Sequence, residues 1–194
     1  MTGLRRKIAS DESGATIMEF GLIAPVLMAM LMAVFDISYN IYATAILEGA
    51  MQEAGRNSTI EAANTNAIDS EVREQVRIAV PNAAVDFERK SYAEYTNVGQ
   101  PEDFKDLNLD GVCNDGEQFE DANGNGVYDT DRGLAGQGGA RDAVVLKATM
   151  TFDRFFPVAS FIGLPSTYTT SSSTVLRNQP YDINEVAPAT ESCL

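Results

Sequence analysis

Apolar residues dominate the start of the chain. From Ala15 to Phe35 they run with a single charge, Glu19, and from Phe20 to Phe35 with none. As a helix, Phe20–Phe35 measures about 24 Å, short of a ~30 Å hydrocarbon layer. Spanning length is reached if the stretch begins at Ala15 and tolerates Glu19. Beyond Phe35 the pattern turns amphipathic: Ile37, Ile41, Ala45, Ile46 and Met51 carry the helix to about Arg56, with Gly55 as its stop. Such a helix is roughly 60 Å long, its first half suited to lipid and its second to packing on a domain. Pro25 removes one backbone donor and is expected to loosen it.

Further along, Val72, Val76 and Ala79 recur at helical spacing within Asp69–Ala79, a short amphipathic helix closed by Pro81. Val85 and Phe87 open a strand. Val144, Leu146, Ala148, Met150 and Phe152 alternate with Val145, Lys147, Thr149 and Thr151, the pattern of a half-buried strand. Tyr168–Arg177, rich in threonine and serine, reads as its partner. The apolar connection Phe155–Pro165 between them reads as a packed loop, with the membrane surface or another subunit as the alternative contact. Gly133–Gly139 lacks the lysine and following helix of a phosphate loop and reads as a flexible linker. Helices on a small antiparallel sheet make the class α+β.

At 194 residues, an anchor plus one domain is the natural organisation. The formal charge of −14 repels phosphate backbones and argues against nucleic acid as a partner. Histidine is absent, which removes the commonest general base and zinc ligand. No nucleophile–base set can be assembled, so a non-catalytic role is expected.

The acidic stretch Phe104–Asp131 carries candidate chemistry. Asp106-x-Asn108-x-Asp110-Gly111-x5-Glu117 satisfies the calcium-loop pattern in which alternate oxygen side chains wrap a cation. Gly111 permits the sharp turn, Val112 offers a carbonyl, and Glu117 can close the shell. Fifteen residues on, Phe119, Asp121, Asn123, Asn125, Gly126 and Val127 repeat the series, with Asp129 at the ninth position and Arg132, which cannot be a ligand, at the twelfth. Pro101 and the glycine run leave no room for flanking EF-hand helices. The expected ion is structural calcium bound by both copies, with Glu117 and Glu120 placed to bridge them. Neutral asparagines at several positions suit an affinity on the order of 10⁻⁴–10⁻³ M.

Glu19 lies five residues after Gly14 and behind Arg5, Arg6 and Lys7. A carboxylate near mid-bilayer costs roughly 2.5–3.5 kcal/mol on insertion scales, so it is normally kept for a partner. Basic leader, glycine and acid together resemble the prepilin signal of type IV pilins and pseudopilins. Glu19-Phe20-Gly21-Leu22-Ile23-Ala24-Pro25 and Ala45-Ile46-Leu47-Glu48-Gly49-Ala50-Met51-Gln52-Glu53-Ala54-Gly55-Arg56 are similar to the TadE-like minor pseudopilins of the tight-adherence (Flp-type) pilus system. Gly21 replaces the usual alanine. A weaker echo at Ser172–Asn178 has Gln179 where an acid is common.

The resemblance implies a leader at residues 1–14, a transmembrane and long helix at 15–56, and an extracytoplasmic domain at 57–194 with the acidic insertion at 102–132. It implies cleavage after Gly14 by prepilin peptidase, a free amine on Ala15, and docking of Glu19 on neighbouring subunits. Other pilin or pseudopilin subunits, the assembly platform and membrane lipid are the implied partners. The implied place is a bacterial inner membrane with the N-terminus cytoplasmic, as the basic leader also requires, or a surface pilus. An uncleaved, membrane-anchored calcium-dependent adhesion module is the alternative. Outside the cytoplasm Cys113 and Cys193 can pair, which the chain-entropy model values at about 4–5 kcal/mol; two free thiols are the alternative.

Overall fold

The computed structural model describes residues 13–58, 64–114, 116–139, 141–156, 160, 163–178 and 188–193. The basic leader residues Arg5, Arg6 and Lys7 lie outside them. A 46-residue helix, α1 (Ser13–Ser58), opens the described chain and is unbroken through Pro25. At 1.5 Å per residue it is about 69 Å long. The chain forms two compact units, one of residues up to Tyr42 together with Asp153–Tyr168, the other of Ala43–Phe152 together with residues from Thr169. Residues of α1 belong to both.

In the first unit, α1 has its large apolar side chains exposed on every side, among them Phe20, Leu22, Val26, Met30 and Phe35. It is one helix long and apolar enough to cross a membrane. A soluble surface helix buries an apolar stripe, and this one buries none before Asp36. At Asp36 the pattern inverts, because the buried residues are polar. Arg154 Nη1 donates to Asp36 Oδ2 at 2.6 Å, and Asn40 Nδ2 donates to the same oxygen at 3.4 Å. Arg154 is itself fixed, its backbone amide donating to the Ser166 carbonyl and its Nε to that of Pro165.

The second unit is built on a four-stranded sheet of order β3-β1-β4-β5. Its strands are β1 (Ala84–Tyr92), β3 (Leu134–Ala135), β4 (Ala143–Asp153) and β5 (Thr167–Arg177). β1 runs antiparallel to β4, with Val85 opposite Met150, Phe87 opposite Ala148 and Arg89 opposite Leu146. These pairs share one face; Asp86 with Thr149 and Glu88 with Lys147 take the other. The alternation read in β4 therefore sorts its apolar residues to one side, where Val144, Leu146, Ala148, Met150 and Phe152 are all buried. Each large side chain buried this way contributes about 1.5–3 kcal/mol.

Two helical segments supply the rest of the core. α2 (Thr65–Ala79) starts four residues before the expected Asp69, because Asn64 caps it by accepting the Ala67 amide at 3.2 Å. It buries Ile68, Val72 and Val76. Asp69 pairs with Arg89 of β1, and the Arg73 guanidinium lies 4.8 Å from the Phe87 ring. The C-terminal part of α1 buries Ala43, Leu47, Ala50, Met51 and Ala54. That stripe differs from the apolar spacing in the sequence: Ile37 and Ile41 are exposed, and only Met51 of the expected set lies in the core. Gly55 does not stop the helix. A Cβ there would sit 3.1 Å from Thr174 Oγ1, so the glycine permits close approach of helix to β5, and the helix runs on to Ser58.

The Gly133–Gly139 segment is also more ordered than a linker. Leu134 and Ala135 form β3, paired with Ser91 and Lys90. Gly133 and Gly138 are required by contact, since a Cβ at either would collide with Tyr92 or Ser91.

Candidate functional site

The two acidic loops, Asp106–Glu117 and Asp121–Arg132, fold alike down to single hydrogen bonds. In the first, Asp106 Oδ2 accepts the Gly111 amide at 2.8 Å, Asn108 Oδ1 that of Asp110 at 2.9 Å, and Asp110 Oδ1 that of Val112 at 2.8 Å. In the second, Asp121 Oδ2 accepts from Gly126 at 2.9 Å, Asn123 Oδ1 from Asn125 at 3.1 Å, and Asn125 Oδ1 from Val127 at 2.8 Å. Gly111 and Gly126 have φ of 79° and 76°, a region costly for any residue with a Cβ.

The pair has an approximate twofold axis. Phe104 and Phe119, fifteen residues apart, form an antiparallel bridge. Around it Lys105 N donates to Gln118 O and Glu120 N to Asp103 O, both at 2.8 Å. The same operation exchanges Glu102 and Glu117, both buried. Glu117 Oε1 accepts the Leu107 amide at 2.6 Å and its Oε2 that of Asn114 at 3.3 Å. Glu102 accepts the corresponding amides of the other loop, Ala122 at 2.8 Å and Asp129 at 3.0 Å. Each loop is thus closed by the glutamate that precedes its partner in this exchange, and Glu102, not Glu120, is the counterpart of Glu117. Arg132 is turned away, its guanidinium donating to Asp103 and to the Pro101 carbonyl.

Oxygen side chains gather at loop positions three, five and nine. Asn108 and Asn114 both donate to Asp110 Oδ2, at 3.0 and 2.9 Å; Asn123 and Asn125 both donate to Asp129 Oδ2, at 2.7 and 2.6 Å. The Asn114 side chain, then the Val112 amide and Asn108, hold the Asp110 carboxyl below its ordinary value of 3.8. Each loop therefore presents two carboxylates and two amides. Among the described residues, no three acidic, thiol or imidazole side chains gather where an ion could be held. The donor set is oxygen alone, which fits a hard cation that accepts neutral ligands and does not fit zinc or a triple-carboxylate centre. Asn114 and Glu102 are absent from the sequence-derived ligand set, yet the fifteen-residue offset that aligns the loops also aligns Asn114 with Asp129 and Glu102 with Glu117.

The loops are tied down differently. Cys113, in the first, forms a disulfide with Cys193. That bond joins a two-stranded sheet of β2 (Gln118–Asp121) and β6 (Ala189–Ser192), and the Cys193 amide donates to the Glu117 carbonyl at 2.7 Å. Tyr128 stands at the equivalent place in the second loop and packs edge-on against Phe104 and Phe119. Asp131 then fastens that loop to β1, accepting from Lys90 Nζ at 2.7 Å and Tyr92 Oη at 2.9 Å. Its hydrogen bond to Asp131 raises the Lys90 pKa, while burial, then the same aspartate, raises that of Tyr92. Burial pushes Asp131 upward, but its Lys90, Tyr92 and Gly133 donors outweigh this and leave it below 3.8.

At the other end of the chain, Gly14, Ala15 and Glu19 lie in the first two turns of α1, all exposed. Fold and sequence together define an α+β protein with one helix long and apolar enough to cross a membrane. A family model described as TadE-like protein matches residues 14–56. Over those residues, from the glycine before Ala15 to the arginine near the end of α1, the chain is similar to TadE-like proteins. No curated protein and no solved structure matches the chain significantly.

Proposed function

We propose that this protein is a non-catalytic minor pseudopilin that helps assemble or prime an adhesive Tad-type pilus. The observation that carries the reading is the TadE-like match from Gly14 to Arg56, with Glu19 exposed on α1 five residues after the glycine. Cleavage after Gly14 frees a cationic amine on Ala15. Within lipid, that amine and the Glu19 carboxylate of a neighbouring subunit neutralise each other, and leaving either alone is costly. The pair sets the stagger of subunits. Intact mass and N-terminal sequence of the protein from cells carrying its secretion locus test this. A chain starting at Ala15 supports processing, and one starting at Met1 supports the uncleaved anchored module instead. Glu19→Ala is expected to insert in the membrane but to block piliation.

The loops support a second element of the proposal, that calcium orders the ectodomain. Asp106, Asn108, Asp110 and Asn114 would hold one ion, and Asp121, Asn123, Asn125 and Asp129 a second, with the Val112 and Val127 carbonyls as further donors. Calcium would neutralise charge that otherwise repels within each loop. Asp106→Ala with Asp121→Ala is expected to abolish a calcium-dependent gain in protease resistance; indifference of the wild-type protein to chelator refutes the idea.

A further inference from the structure

The apolar run Phe20–Phe35 is too short for a bilayer by about 6 Å, and Asp36 would ordinarily end it. In this unit, however, Asp36 does not face solvent. It is 6% exposed and neutralised by Arg154, which the connection between β4 and β5 delivers. Ser38, the next polar residue, satisfies its hydroxyl by donating to the Val34 carbonyl at 2.7 Å. The outward surface of α1 therefore stays apolar beyond the acid, through Ile37, Ile41 and Tyr42, each more than half exposed. From Phe20 to Tyr42 the helix measures about 34 Å, enough to cross the hydrocarbon and reach the headgroups.

The same connection adds aromatic surface at that level. Phe155 is 71% exposed with its ring centroid 6.2 Å from that of Tyr39 and 5.0 Å from that of Phe156. The Arg154 guanidinium lies 5.4 Å from the Tyr168 ring. Tyr39, Tyr42, Phe155 and Tyr168 beside a neutralised charge pair match what settles at a bilayer boundary, where rings have apolar bodies and tolerate nearby headgroups.

We propose that Arg154 and Phe155, which follow β4, form a second membrane-contact element: Arg154 neutralises Asp36 to lengthen the span, and Phe155 enters the boundary between acyl chains and headgroups. The occupant of this patch is lipid, because the patch is continuous with the apolar surface of the spanning segment itself. The inference rests on α1 crossing the membrane, and its test separates the two.

The chain has no tryptophan, so single reporters can be placed in the full-length protein in phosphatidylcholine–phosphatidylglycerol vesicles. Phe155→Trp is expected to emit blue-shifted light and to lose intensity more to lipid brominated near the headgroup than near the chain end. Val26→Trp, in mid-helix, should be quenched best by the deep bromine, and Ile78→Trp on α2 by neither. Adding Asp36→Asn to Phe155→Trp should reverse the shift while Val26→Trp in the same background stays quenched. Quenching at Val26→Trp without quenching at Phe155→Trp overturns the proposal and leaves the span intact. A blue shift at Phe155→Trp insensitive to bromine assigns the patch to protein and also overturns it. No quenching at Val26→Trp overturns the span and the proposal together.

Discussion

The two acidic loops share a fold and differ in how they are held. The first is covalently stapled through Cys113 to the C-terminal strand, and Glu117 receives three of its amides. The second has an aromatic anchor, Tyr128, in place of the cysteine, and a polar clamp, Asp131 with Lys90 and Tyr92, onto the main sheet. A local motif fixes local geometry, so both turns are alike. Attachment is a tertiary matter, solved once by a staple and once by packing and charge. Glu117 closes the loop that it ends, whereas the twofold arrangement sends Glu102 across to the second.

Removing the staple should break the symmetry most. Closing 80 residues is worth about 4–5 kcal/mol in the chain-entropy model. Cys113→Ser with Cys193→Ser is expected to lower the unfolding free energy by an amount of that order. Hydrogen exchange should show amides of 106–114 losing protection before those of 121–129; equal loss in both loops would contradict the division of attachments.

The two loop-closing glutamates give a sharper, more local effect. Each is buried and satisfies backbone amides that truncation would leave unpaired, at about 1–3 kcal/mol per group. Glu102→Ala should expose Ala122 and Asp129 to exchange while sparing Leu107, although Glu102 precedes the first loop in the chain. Glu117→Ala should do the reverse. The proposed calcium sites come next in size: at ten times its dissociation constant, an ion in one such site would add about 1.4 kcal/mol. Asp106→Ala and Asp121→Ala should each remove one such increment from the calcium-dependent rise in Tm, and a single mutation that abolishes the whole rise would mean that the loops bind as one unit.

Local features of this architecture were legible in the sequence, and their partners were not. Alternation in Val144–Phe152 announced β4 and its buried face, since period-two patterns directly report a one-sided sheet. The D-x-N-x-D-G repeat announced both turns because glycine and Asx side chains act within a few residues. Glu102 went unread because its contacts lie 20 and 27 residues away. Asp36 ends the uncharged run in the sequence, and its burial depends on Arg154, 118 residues on. Gly55 resembled a helix stop, but its small size serves Thr174 instead. Gly133–Gly139 resembled a linker for a related reason: glycines that permit contact have the same composition as glycines that permit freedom.

The smallest expected difference between the loops is in their response to pH, through the clamp that only the second possesses. Asp131 has a folded-state pKa below the ordinary 3.8, so its contribution is present above that value and lost as pH falls through the lower folded value. Lys90 and Tyr92 are raised above 10.5 and 10.0, so theirs is present below those values and lost as pH rises through the higher folded ones. Between these limits the clamp is intact. Lys90 and Asp131 are each about a third exposed, and solvent screening leaves the pair about 0.5 kcal/mol. Asp131→Asn should therefore lower stability slightly at neutral pH and flatten part of the acid limb below about pH 4. Exchange at Asn123–Asp129 should quicken in acid for the wild-type protein relative to the variant, with Asn108–Asn114 unchanged by the substitution. An acid limb identical in both proteins would mean that Tyr128 packing alone holds the second loop.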